Sequence, residues 1–135
     1  MGTKCLTRLF DEHNVPLVTL YRQSGGYPSG HGLQLAEFLR DFIVVNGIPM
    51  SHGYKKIANG AGCLAAQVIA HFKYGVGGFY IYPATYTGEQ YEYDVYVTTD
   101  MEPTISVKNR SGSVLFHGTA TETSAWIKER NDDNE

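Results

Sequence analysis

The residues best suited to chemistry fall in two glycine-rich runs, each leading into a segment patterned as a helix. The first is Arg22-Gln23-Ser24-Gly25-Gly26-Tyr27-Pro28-Ser29-Gly30-His31-Gly32, and the second ends in Lys56-Ile57-Ala58-Asn59-Gly60-Ala61-Gly62. Glycine lets backbone amides approach a ligand closely and take positive φ. The first turn of a helix carries unpaired N–H donors and partial positive charge, so such an entrance suits an anion. Arg22 supplies a planar donor fork for phosphate or carboxylate. The amides of Gly25, Gly26 and Gly30 line the cradle, Tyr27 and Phe79 offer stacking rings, and Ser29 or His31 donates at the helix entrance. In the second run Lys56 adds charge, while Asn59 and Gly60 complete the wall. Together these residues predict a site for a small anionic, nucleotide-like ligand, provided that the two helix entrances converge beside Arg22. Each run also has a purely structural reading: Gly25-Gly26 as a turn, Ser29 as a helix cap, Lys55 and Lys56 as solvated surface.

Neither run matches G-x-x-x-x-G-K-[ST] or G-x-G-x-x-G, so a nucleotide-fold fingerprint is not supported. Glu92 and Asp94 lie two apart on a strand pattern and share one face. Such a pair can work as general acid and base or hold a divalent metal; it can equally be the wet face of a sheet or a partner for Arg or Lys. His31 with Glu92 or Asp94 therefore defines an alternative, a small nucleotide hydrolase or transferase. The five histidines form no H-x-H or H-x-x-x-H pair, and Cys5 and Cys63 form no C-x-x-C. No metal, cofactor or disulfide is expected. A third reading, a protein–protein inhibitor, uses the tyrosine-rich strands as its contact face.

With 135 residues, 42% of them hydrophobic and 19% charged, the chain fits one domain with an ordinary core. The net charge of -3 argues against a duplex nucleic-acid partner. No apolar run reaches membrane-spanning length, Met1–Lys4 starts no leader, and unpaired cysteines fit the cytoplasm.

These residues must be positioned by a small set of elements. Cys5–Phe10 and Val15–Arg22 read as a β-hairpin around Asp11-Glu12-His13-Asn14. Leu35, Phe38, Leu39, Phe42 and Ile43 recur at helical spacing and predict a first helix stopped by Asn46-Gly47. Residues 47–60 read as a polar loop, Ala61–Lys73 as a second helix and Phe79–Tyr82 as a strand ended by Pro83. Tyr91–Val97 alternates as another strand, and Ile105–Lys108 with Val114–His117 forms a second hairpin. A helix over about Glu122–Glu129 is capped by Thr121, and an acidic tail over 131–135 frays. The order ββ-αα-ββββ-α predicts an α+β domain, with helices over one face of a mostly antiparallel sheet.

The segments Leu20-Tyr21-Arg22, Gly26-Tyr27-Pro28-Ser29-Gly30-His31-Gly32, Asn46-Gly47-Ile48, Asn59-Gly60-x-Gly62-Cys63-Leu64-Ala65-Ala66-Gln67, Gly77-Gly78-Phe79-Tyr80-Ile81-Tyr82 and Tyr91-Glu92-Tyr93 resemble a group of small proteins from phages and environmental microbes. The resemblance covers roughly residues 15–97 and carries no catalytic residues across. It implies a phage origin, and with it a host-cytoplasmic anti-defence sponge that sequesters a nucleotide signal without turning it over. Sponges of this type often bind at subunit interfaces, which adds the expectation of a symmetric homo-oligomer.

Overall fold

A computed structural model describes residues 2–47 and 56–130. The elements run β1 (Cys5–Phe10), β2 (Pro16–Arg22), a single π-helical turn (Pro28–Gly32), α1 (Leu33–Leu39), β3 (Phe42–Val45), β4 (Lys56–Asn59), α2 (Gly60–Phe72), β5 (Phe79–Tyr82), β6 (Tyr91–Tyr96), β7 (Thr104–Asn109), β8 (Val114–Thr119) and α3 (Ala120–Glu129). The fold is α+β. Six strands form one sheet in the order β5-β2-β1-β6-β7-β8, and β3 pairs with β4 in a separate two-stranded sheet. In the large sheet every neighbouring pair is antiparallel except β1 and β6.

The β1–β2 hairpin follows from its turn chemistry. The Asp11 carboxylate accepts from the amides of His13 and Val15 at 2.8 and 2.9 Å, and Asn14 takes the left-handed conformation at φ 63°, as short polar side chains tolerate. The hairpin then sends alternate residues to opposite faces. Cys5, Leu9 and Leu20 join Leu35, Leu39, Leu64, Val68, Tyr93, Val95, Ile105 and Val107 in one buried cluster between sheet and helices. Truncating a buried leucine of this kind to alanine costs about 2–5 kcal/mol.

The first helix is shorter than its periodicity suggested. It ends at Leu39; Arg40 is extended and Asp41 sits at φ 66°. Phe42–Val45 is a strand, with Phe42 and Val44 buried and Ile43 and Val45 half-buried. Phe42 satisfies both a seven-residue helical spacing and a strand alternation, and the β-branched run Ile43-Val44-Val45 favours the strand. Tertiary pairing decides it: β3 pairs with β4 in parallel, and the Val44 carbonyl accepts from the Asp100 amide at 2.6 Å. Of the loop expected over 47–60, residues 48–55 lie outside the described residues and Lys56–Asn59 is β4, so the order among the described residues is ββ-α-ββ-α-ββββ-α. The cap of the last helix also moves. Thr119, not Thr121, is the N-cap; its hydroxyl accepts from the Glu122 amide while Glu122 accepts from the Thr119 amide, a reciprocal capping box. Thr121 instead donates to Glu102 at 2.8 Å. The tail over 131–135 lies outside the described residues.

Candidate functional site

The two glycine-rich helix entrances do not converge. His31, at the first, packs its ring 4.8 Å from Phe72 in the last turn of α2. The second lies at the opposite end of that thirteen-residue helix, about 18 Å away at 1.5 Å per residue. The hairpin gives the same answer: the Gly26 amide bonds Thr3 just before β1, whereas the Ala61 amide bonds Glu12 just after it. The single hollow expected beside Arg22 is therefore absent among the described residues.

In each cradle the chain itself takes up backbone amides. In the first, the amides of Gly26, Gly30 and His31 donate to Thr3, Tyr27 and Gly25 carbonyls at 2.8–2.9 Å. Gly25 has φ 74°, and a Cβ on Gly26 would stand 2.7 Å from that of Cys5, so these glycines serve a tight turn and a close approach. Tyr27 and Ser29 are half-buried beside them. Arg22 is held by the Ser24 carbonyl at 2.7 Å, His31 Nδ1 at 3.1 Å and Gln34 Oε1 at 2.7 Å, and stands over the buried Phe79 ring at 5.1 Å. At the second entrance Glu12 Oε2 accepts from the Ala61 amide at 2.8 Å, supplying from within the anion that a helix N-terminus favours; Gly60 beside it has φ 83°. Asn59 accepts from the Gly47 amide at 2.7 Å. Lys56 Nζ donates to the carbonyls of Phe38 and Arg40 at 2.7 and 3.2 Å, closing the C-terminus of α1 as a cation does there. Lys55 and His52 lie outside the described residues.

His31 is fully buried, with Nε2 2.6 Å from Thr7 Oγ1. Arginine has only donors, so Nδ1, facing Arg22, is the lone-pair nitrogen and Nε2–H donates to Thr7. Burial first, and then the Arg22 charge, push the imidazole pKa down to about 3. Thr7 and His31 lie on the helix side of the sheet. Glu92 and Asp94 lie on the other side, so the general acid–base pairing with His31 has a β-sheet between its members.

That outer face carries the main polar feature of the molecule. Register aligns Tyr82, Thr19, Arg8, Asp94, Ser106 and His117 in one row across all six strands. Arg8 Nη1 reaches Glu92 Oε1 at 3.2 Å and Asp94 Oδ1 at 3.1 Å, and Lys108 Nζ reaches Asp94 Oδ2 at 2.7 Å. Two cations and two carboxylates thus cancel. The 83–90 loop folds over this cluster: the Ala84 carbonyl accepts from Arg8 and Thr19 at 3.1 and 2.9 Å, and that of Tyr86 accepts from Arg8. Glu92 accepts from Thr87 Oγ1 and the Gly88 amide. Burial pushes the Glu92 pKa up, but Thr87, Gly88 and Arg8 outweigh it and hold the carboxyl below its ordinary value. The Asp94 hydrogen bond raises the Lys108 pKa. Of the readings open from sequence, the pair is a partner for Arg and Lys; Arg8 announced itself only as a charge within the apolar β1 run.

Beyond the 83–90 loop the outer face carries a cleft among the described residues. It measures about 520 Å³ and is lined by Phe10, Asn14, Tyr96, Thr104, Ser106 and His117. Phe10 and Tyr96 stack with centroids 4.5 Å apart and planes at 22°. Ser106 Oγ and His117 Nδ1 are hydrogen-bonded at 2.5 Å. A second depression, about 550 Å³, is lined by Thr3, Gln90, Tyr91, Asn109, Arg110 and Ser111 and offers a single ring. The tyrosines of the strands offered as one contact face divide between the two faces of the sheet. Tyr93 points to the helices, its hydroxyl donating to the Gly26 carbonyl at 2.6 Å. Tyr80 and Tyr82 flank Tyr21 on the other side, with Tyr82 stacked on it at 4.6 Å.

No protein-family model, curated protein or solved structure matches this chain. Among the described residues, no helix is long and apolar enough to cross a membrane, and no group of three or more His, Cys, Asp or Glu is placed to hold a metal ion.

Proposed function

We propose that the protein is a binding protein that captures a small planar polar molecule, of nucleoside type, in the outer-face cleft without transforming it. The observation that carries this reading is the stacked Phe10–Tyr96 pair set beside Asn14, Thr104, Ser106 and His117. Rings supply a sequence-tolerant stacking surface for a base, and the amide, hydroxyls and imidazole supply edge hydrogen bonds. The neighbouring charges are mutually neutralised, which favours the ring over a phosphate as the recognised part. The nucleotide-like ligand expected from the glycine loops thus keeps its base and loses its anion cradle.

Calorimetry against a panel of nucleosides and nucleotides tests this. Binding is expected to weaken on Tyr96→Ala by about 1–3 kcal/mol, as for loss of one stacking ring, and to survive Arg22→Ala. Denaturing the complex should return the ligand intact. Silence across the panel from a folded sample, or binding that depends on Arg22 rather than Tyr96, would overturn the assignment.

A further inference from the structure

The six-stranded sheet ends in two edges that differ in how they are finished. On β5, the Lys73 ammonium donates to the carbonyls of Gly77 and Phe79 at 3.0 and 2.8 Å and lies 5.4 Å from the Tyr80 ring. A lysine laid along an edge is a common device against strand pairing, and β5 is only four residues long. The other edge, β8, has six residues, Val114-Leu115-Phe116-His117-Gly118-Thr119, with no lysine, proline or other charge among them. Val114 and Leu115 stand 56% and 37% exposed there.

The backbone parity of β8 can be read from its ends. The Ala120 amide donates to the Pro103 carbonyl at 3.0 Å, which makes that pair a hydrogen-bonded one. Antiparallel pairs alternate, so Thr104–Thr119 and Ser106–His117 are non-hydrogen-bonded pairs and the backbone groups of Thr119 and His117 point away from β7. The Thr119 amide is satisfied by Glu122 Oε1 at 2.9 Å. The outward N–H and C=O of His117 face the β8 edge, where no further strand pairs among the described residues.

We propose that a second copy of this chain pairs with β8, antiparallel across a two-fold axis near Phe116, and joins the two sheets into one of twelve strands. Charge favours this occupant. Arg110 lies in the turn before β8 and Glu122 in the first turn of α3 after it, both exposed. They are equally spaced in sequence about Phe116, so the antiparallel arrangement brings the Arg110 end of each copy to the Glu122 end of its partner. A parallel copy would set like ends together. The uncharged strand between them meets its own image without repulsion. The interface is isologous and closes at two copies. Because His117 both edges β8 and lines the cleft, the two clefts come to lie on one continuous face, on either side of the seam. An interface built on one strand pair belongs to the small class, so the dimer dissociates on dilution.

Sedimentation across a wide concentration series is the test, with amide exchange read at His117. A reversible monomer–dimer equilibrium is expected, with His117 exchange slowing as the dimer fills. Leu115→Lys should leave a folded monomer at every concentration, and Ile81→Lys on the β5 edge should leave the dimer intact. If Leu115→Lys fails to fold, the wild-type exchange at His117 still decides. A monomer throughout, a dimer lost on Ile81→Lys but not on Leu115→Lys, or exchange at His117 indifferent to concentration would each overturn the proposal. None of these outcomes depends on a ligand in the cleft.

Discussion

Glu12 Oε2 accepts a 2.8 Å hydrogen bond from the amide of Ala61, so the glycine-rich start of α2 is capped by a carboxylate from the β1–β2 turn. A position that reads in sequence as a seat for a foreign anion is filled by one from the same chain. Replacing it tests that role. Glu12→Ala should lower stability by about 1 kcal/mol, as for loss of a helix cap with its favourable dipole contact, measured by denaturant midpoint at neutral pH. An unchanged midpoint would mean the contact contributes nothing.

His31 should make the protein acid-sensitive. Its pKa is held at about 3 when folded, against an ordinary 6.5, so the unfolded chain takes up a proton that the native state does not. The resulting stability is complete above about pH 6.5 and is lost progressively as pH falls toward 3. Glu37, lowered to about 2 chiefly by Ser124 and then Lys128, adds a loss that begins only near its ordinary 4.5. His31→Phe should therefore be less stable at neutral pH, yet show a flatter decline between pH 6.5 and 4.5. Nitrogen shifts of the wild-type imidazole should report the neutral Nε2–H form throughout that range.

Arg8 should be the most costly single charge to remove. It ties Glu92, Asp94 and two loop carbonyls together, and breaking a buried ion network by removing one partner typically costs about 3–5 kcal/mol. Arg8→Met should fall in that range by chemical denaturation and should loosen the 83–90 loop, seen as faster amide exchange at Gly88. A loss below about 1 kcal/mol, the range of exposed ion pairs, would show that water already enters the cluster.

The cysteines should differ in reactivity. Burial pushes the Cys5 thiol far above its ordinary pKa, and thiolate is the reactive form; Cys63 is half-buried on α2. Thiol titration of the native protein should modify Cys63 and spare Cys5, with Cys5 reacting only on unfolding. Fast native modification of Cys5 would contradict its burial.

The sequence by itself determined several of the local elements. Apolar, β-branched runs on either side of a polar Asx turn define the β1–β2 hairpin, a 3.6-residue stripe defines α2, and glycines mark the turns, because each depends on neighbours within a few residues. Only tertiary structure decided the rest. Phe42 fits two periodicities, and pairing with β4 chose between them. Glu92 and Asp94 look solvent-facing on their own strand, yet Arg8 of a parallel neighbour and the folded-back 83–90 loop bury them as ion partners. The cleft went unseen because Phe10, Tyr96, Ser106 and His117 belong to four different strands. What brings them together is register, and long-range register is set by which strands share a core, a choice that no short window of residues contains.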